Sequence, residues 1–521
     1  MSRGTAVRAT GAAVGAVAVL GLTAGALWSG SVLPVPDQEA PGATTVALPA
    51  AETPLVCAPV PVPTTEDTGP ADPEQDEGDR TVRSTTQLHA WTVGGAPVAR
   101  AWWAQDSGAG EEVELDQVAA GDSAVRTLAT ASADPGVLTI APVEEDGETV
   151  PGSGGGAVVV RTDAGDLRGI AASTCQAPAS SAWLVGGSTE LGSTARLSLT
   201  NPGPVPVTAD VTVHTAVGVV DAPALSDLVV PARSTVAVPV EASVETPALA
   251  LRVDGRGGRV VASLEDLRTQ GLASAGLDIV TAGAGPDDEV LVPAVEVAPG
   301  AVGSVRLVNP DDEQVTASIE LTTAGGWAPL GGAEEVVLDP GVVLDVPLTG
   351  VEDGIHGVRV RADGAVAAAA VTAQEATAPE GSGDLAVDLA WTGAGEPARS
   401  AEHVLPDAAL DVRSRVAVTN PGDAPQRVSV RDLARTGRGE EVEVAAGTTE
   451  LLPAPEGATA VRVTAEPVGA AGEDPADDPA DVGGVLSAVL LDAEVPTGRL
   501  VGVLGAVPDA RAAGQVDVLL R

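Results

Sequence analysis

Residues 195–202 read ARLSLTNP, residues 303–310 read GSVRLVNP and residues 414–421 read SRVAVTNP. Each is an alternating apolar and polar run that stops at Asn-Pro. Asn201, Asn309 and Asn420 are the only asparagines in the chain, at spacings of 108 and 111 residues. Period-two alternation marks a strand with one buried face. Pro202, Pro310 and Pro421 disfavour helix at the residue before them, so each Asn closes its strand in extended backbone. The Asn side chain is then placed to accept a hydrogen bond from backbone two residues on. Gly203 and Gly422 suit a type II turn, and Asp311 at the matching place suits type I. A second alternating strand follows each turn, with Val207, Ala209, Val211 and Val213, then Val315, Ala317, Ile319 and Leu321, then Val428 and Val430.

The repeat extends both ways. Upstream lie Trp183-Leu184-Val185, Leu291-Val292-Pro293 and Val404-Leu405-Pro406. Downstream lie Val229-Val230-Pro231, Leu338-Asp339-Pro340 and Val444-Ala445-Ala446. LRVDG at 251–255 and VRADG at 360–364 read as hairpins through a tight Asp-Gly turn, with VRTDA at 160–164 as a weaker copy. The last repeat keeps the strand at 461–466 without Asp-Gly, and an acidic insert, GEDPADDPAD, follows at 472–481. About seven short strands per roughly 110 residues predict tandem immunoglobulin-like β-sandwich domains. The chain ends in one more strand-like run, VDVLL at 516–520, for which local pairing is the usual arrangement of sequential elements and completion of another domain, closing the array, the alternative.

Composition agrees with an all-β fold. The 521 residues include no Phe, Tyr or Lys, seven Trp, 62 Gly and 41 Pro, and 44% are hydrophobic. Cores must be built from Val, Leu and Ala, and Val favours strands. Amino acids with AT-rich codons are scarce, which points to a GC-rich genome. The net charge of −45 disfavours binding to nucleic acid and suits a solvated, exported surface.

Arg3 and Arg8 precede an uncharged run at 9–28, ATGAAVGAVAVLGLTAGALW, long enough to span a bilayer as a helix. It reads as a signal anchor. Ala24-Gly25-Ala26 also fits a cleavage site, which would make it a signal peptide. Both readings export residues 37–521, either as a single-pass cell-membrane protein with its C-terminal region outside or as a secreted one. The expected organisation is 1–36 signal, 37–50 linker, 51–181 an atypical first β domain, then sandwich repeats at 182–290, 291–402 and 403–521. Cys57 and Cys175, the only cysteines, pair as a disulfide in an oxidising compartment, the alternative being two free thiols.

With Cys-Ala-Pro at 57–59, Trp183-Leu-Val-Gly-Gly-Ser and Leu197-x-Leu-x-Asn201-Pro-Gly, the chain resembles an uncharacterised actinobacterial family of exported proteins, the domain of unknown function 5719, from about residue 50 to the end. The resemblance implies an envelope location and a GC-rich host. It carries no activity and no functional residues.

No motif for catalysis, metal or cofactor is present. His89, His214, His356 and His403 lie far apart without ligand spacing. GSGGG at 152–156 lacks the Lys of a phosphate loop, and Glu144-Glu145-Asp146 and the acidic run at 474–481 lack the spacing of a calcium loop. Trp102 and Trp103 should point to opposite faces of a strand, one of them available to stack on a sugar ring. The expected function is that of a non-enzymatic envelope scaffold or adaptor, held to the membrane by the N-terminal helix and binding an envelope protein. A carbohydrate-binding array using Trp102 and Trp103 is the first alternative, and a hydrolase with dispersed carboxylates the second.

Overall fold

The strand that ends at Asn201, Ser193–Asn201, lies between Ser234–Pro239 and Val261–Gln270, and Ala273–Thr281 completes this antiparallel sheet. The strand that follows the Asn-Pro turn, Val207–Thr215, joins a second sheet, ordered Ser181–Val185, Leu249–Arg256, Val207–Thr215 and Gly218–Val220. The turn thus passes the chain from one sheet to the other. Val207, Ala209, Val211 and Val213 are buried as their alternation predicts, and they share one core with Leu197, Leu199 and Leu264 of the opposite sheet.

This strand order recurs. In the third module the sheets are Asp287–Val297, the first half of Gly354–Ala376, Val315–Thr323 and Gly326–Pro329, against Val343–Pro347, Ala301–Val308, the second half of Gly354–Ala376 and Ala386–Gly393. In the fourth they are Ser400–Val404, Ala460–Pro467, Gln426–Asp432 and Glu440–Val444, against Thr449–Pro453, Arg413–Thr419, Leu486–Val495 and Gly498–Leu504. The first module, which lacks the Asn-Pro signature, has the same plan. Thr53–Val56, Gly136–Ile140, Ala99–Gln105 and Gly108–Ala109 face Ser123–Thr130, Val82–Val93, Ser153–Thr162 and Gly169–Thr174, with Asp116–Ala120 added at the outer edge.

The computed structural model describes residues 43–47, 50–61, 82–93, 99–105, 108–120, 123–130, 134–145, 148–165, 167–270, 273–376, 386–435, 439–468, 484–508 and 515–519. The N-terminal apolar run, most of the 37–50 linker, Asp146 and the acidic run at 474–481 lie outside them. Among the described residues the only helical elements are two single turns, Pro223–Leu225 and Ala408–Leu410, and no helix is long and apolar enough to cross a membrane. Residues 50–512 form one compact unit. Ala43–Ala47 and Gln515–Leu519 pair antiparallel in a separate unit.

Two turn expectations are corrected. Asp254-Gly255 lies inside the strand Leu249–Arg256, and Asp363-Gly364 inside the unbroken strand Gly354–Ala376. The segments before and after these dipeptides belong to different sheets, so the chain crosses the sandwich there and needs no two-residue reversal. Gly364 is needed for space, since a Cβ would stand 2.9 Å from Cγ2 of Val315, the first valine after the Asn-Pro turn. VRTDA at 160–164 is not a copy of this segment, because it ends Ser153–Thr162 and leads to the inner edge of the first module.

Each module ends in an edge strand: Gly169–Thr174, Ala273–Thr281, Ala386–Gly393 and Gly498–Leu504. These four inner strands meet. No ladder joins them, and buried aspartates take its place. Asp278 accepts from the Ala172 and Trp391 amides at 3.1 and 2.6 Å. Asp388 accepts from the Ile170 and Val501 amides at 3.3 and 2.8 Å. Both are fully buried. Edge amides that would otherwise be orphaned are satisfied across module boundaries. The first and fourth modules share a continuous core, and Arg161 of the first reaches the carbonyls of Leu410 and Asp411 of the fourth, so the order of modules closes on itself.

Candidate functional site

Asn201, Asn309 and Asn420 are at most 1% exposed. Each Oδ1 accepts the amide two residues on, from Gly203, Asp311 and Gly422, at 2.9, 3.0 and 3.1 Å. That is the Asx turn the sequence predicts. Each Nδ2 also faces three carbonyls. For Asn309 these are Glu313, Leu338 and Asp339 at 2.7, 3.1 and 3.3 Å. Asn201 addresses Val205, Val230 and Pro231, and Asn420 addresses Ala424, Val444 and Ala445. The amide thus clamps the Asn-Pro turn to a second turn some 25 to 30 residues later.

The clamped pair of turns is what each module presents to the module before it. In the fourth module, Pro421 accepts from Trp327 Nε1 of the third at 3.2 Å. In the third, Gly341 O lies 3.2 Å from His214 Nδ1 of the second. In the second, the Arg233 guanidinium lies 4.5 Å from the centre of the Trp102 ring of the first. Three asparagines serve three sequential seams. The closing seam, fourth to first, has none and is held by Arg161 and by Arg168, whose Nε donates to Thr497 at 2.9 Å.

The seam between the first and second modules leaves a groove of about 460 Å³. Its walls include Pro54, Trp102, Pro178 and the 201–205 turn, so the Asn-Pro motif borders it as well as shaping it. Arg100, Arg233 and Arg259 contribute positive charge. Arg100 is neutralised by Glu52 at 2.7 Å and Glu112 at 3.7 Å. The side chains of Arg233 and Arg259 have no hydrogen-bond or ion-pair partner among the described residues, and Arg233 Nε is buried. Trp102 is only 3% exposed, and Trp103 packs on the first module's core. The two do point to opposite faces, but neither is a free stacking platform, because the second module covers the outer one.

The matching chain model is a family of unknown function, domain of unknown function 5719, over residues 127–455. The chain belongs to that family. Its matched span begins within Ser123–Thr130 of the first module and runs past Thr449–Pro453 of the fourth, so it takes in all three Asn clamps. No curated protein matches the chain.

Cys57 and Cys175 are bonded and buried, joining the end of the first strand to the end of the first inner strand. All four histidines are buried on strands and lie apart. Burial pulls His89 and His403 down to about 4. His403 Nε2 lies 2.8 Å from Ser487 Oγ, the spacing of a base and nucleophile. Both are buried, and burial makes the imidazole a weak base. Glu144 bonds Thr149 within the hairpin of Val143–Glu145 and Glu148–Val150. Asp278, Asp388, Arg233 and Arg306 escaped the sequence reading. A signal existed for the aspartates, a lone acid in GLDIV and AVDLA at a spacing of 110, close to the repeat length.

Proposed function

We propose that this protein is a non-enzymatic, extracytoplasmic envelope scaffold built from immunoglobulin-like modules, exported by its N-terminal apolar segment and offering a preorganised surface to a protein partner. The observation that carries this reading is where the buried polar groups are used. Arg306, 1% exposed, donates to the carbonyls of Gly187 and Leu249 in the neighbouring module and pairs with Asp345. Arg161, Asp278, Asp388 and Trp327 likewise bond across seams. Such groups rigidify the arrangement of modules, which is what a docking platform needs.

Two experiments test the reading. A reporter enzyme active only outside the cytoplasm, fused after residue 50, should be active, and an inactive fusion rejects export. Photo-crosslinking from the exposed Val205 and Val229 in the native host should give one reproducible protein adduct, absent with the crosslinker moved to the buried Val213. A smear without a dominant partner rejects the scaffold role.

A further inference from the structure

The second module departs from its own repeat at Arg233. Two residues beyond the last carbonyl that faces the Asn amide, the third and fourth modules have Gly341 and Gly447, at φ 70° and 66°. The second has Arg233 at φ 53°. A side chain strains the backbone in this left-handed region, so glycine is the low-energy choice. The arginine that stands there lies over Trp102, keeps an unpartnered buried Nε, and lines the groove with the equally unpartnered Arg259. Among the described residues most arginines pair with a carboxylate, whereas Arg233 and Arg259, like Arg196, Arg399 and Arg427, do not.

We propose that this groove binds a small carboxylate with an apolar body. Arg233 and Arg259 receive the carboxylate as forked donors. Pro54, Pro178, Pro202 and Val205 cover the apolar part. The volume of about 460 Å³ suits a small molecule. The net charge of −45 repels a polyanion in proportion to its own charge, which selects a monoanion. This goes beyond the scaffold reading and stands or falls separately from it.

The test titrates the full chain with N-acetyl-leucine and N-acetyl-alanine, and with their neutral amides, following tryptophan fluorescence and calorimetric heat. Saturable binding of an acid is expected, with the amide weaker by about tenfold or more. Arg259→Gln and Arg233→Gly should each lose a similar factor, while Arg233→Gly, which relieves the strained φ, keeps or raises the melting temperature. Equal binding of acid and amide overturns the proposal, as does no saturable binding of any of them. Inorganic phosphate binding more tightly than the acids overturns the choice of carboxylate. Unchanged affinity with a lowered melting temperature in Arg233→Gly makes that residue a seam fastener only, and overturns it too.

Discussion

Asn309 holds four backbone atoms of two turns in place through one amide. Alanine there strands the carbonyls of Glu313, Leu338 and Asp339 and the amide of Asp311. Asn309→Ala should lower unfolding stability by roughly 2–4 kcal/mol, read from urea titration, because buried unsatisfied groups cost more than a lost bond. Asn309→Asp should be worse, since a carboxylate cannot donate to three carbonyls. Half of this role was legible in the sequence. Strand, proline and spacing predict the local Asx turn, whereas the second turn is brought to the amide only by the packing of two sheets.

At the scale of the element, the four inner strands are edges that never pair with one another. Their amides are met by Asp278 and Asp388, and burial raises both carboxyls, Asp388 to about 7 and Asp278 well above the ordinary range. Unfolded, Asp388 ionises near 3.8. Folding therefore takes up a proton between these values, and the group's contribution to stability falls as pH rises from about 4 to about 7, then stays constant. Relative to Asp388→Asn, the native chain should gain a few kcal/mol, on the order of the shift itself, when urea unfolding is measured at about pH 4.5 rather than 7.5. A pH-independent difference would mean that the carboxylate is ionised throughout. His89 and His403 run the opposite way: lowered from 6.5 to about 4, they contribute stability that is lost as pH falls through that window. The comparison with Asp388→Asn removes their effect, because both chains carry them. The motif GLDIV predicts a strand, yet the purpose of its acid depends on two other modules.

On the whole molecule, closure rests on a seam that no repeat signature marks. Arg161 is 4% exposed and donates to Leu410 and Asp411 across it. Arg161→Ala should open the contact between the first and fourth modules while leaving the second and third folded. Hydrogen exchange would then rise in Gly169–Thr174 and Gly498–Leu504 and stay low in Ser193–Asn201. The −45 charge spreads self-repulsion over all modules, so raising NaCl from about 0.05 to 0.5 M should raise the melting temperature by screening it. The sequence by itself determined the strands, their buried faces, the turn at each Asn-Pro and the cysteine pair, because alternation, proline geometry and composition act over a few residues. The Asn-Pro stretches that announced the repeat also form the seams, and that part was decided by tertiary structure alone. So were the hidden fourth copy in the first module, the crossing at Asp-Gly, the covered face of Trp102 and the closure. Each of these depends on which sheet edge or loop meets which across tens to hundreds of residues, and no local pattern encodes that meeting.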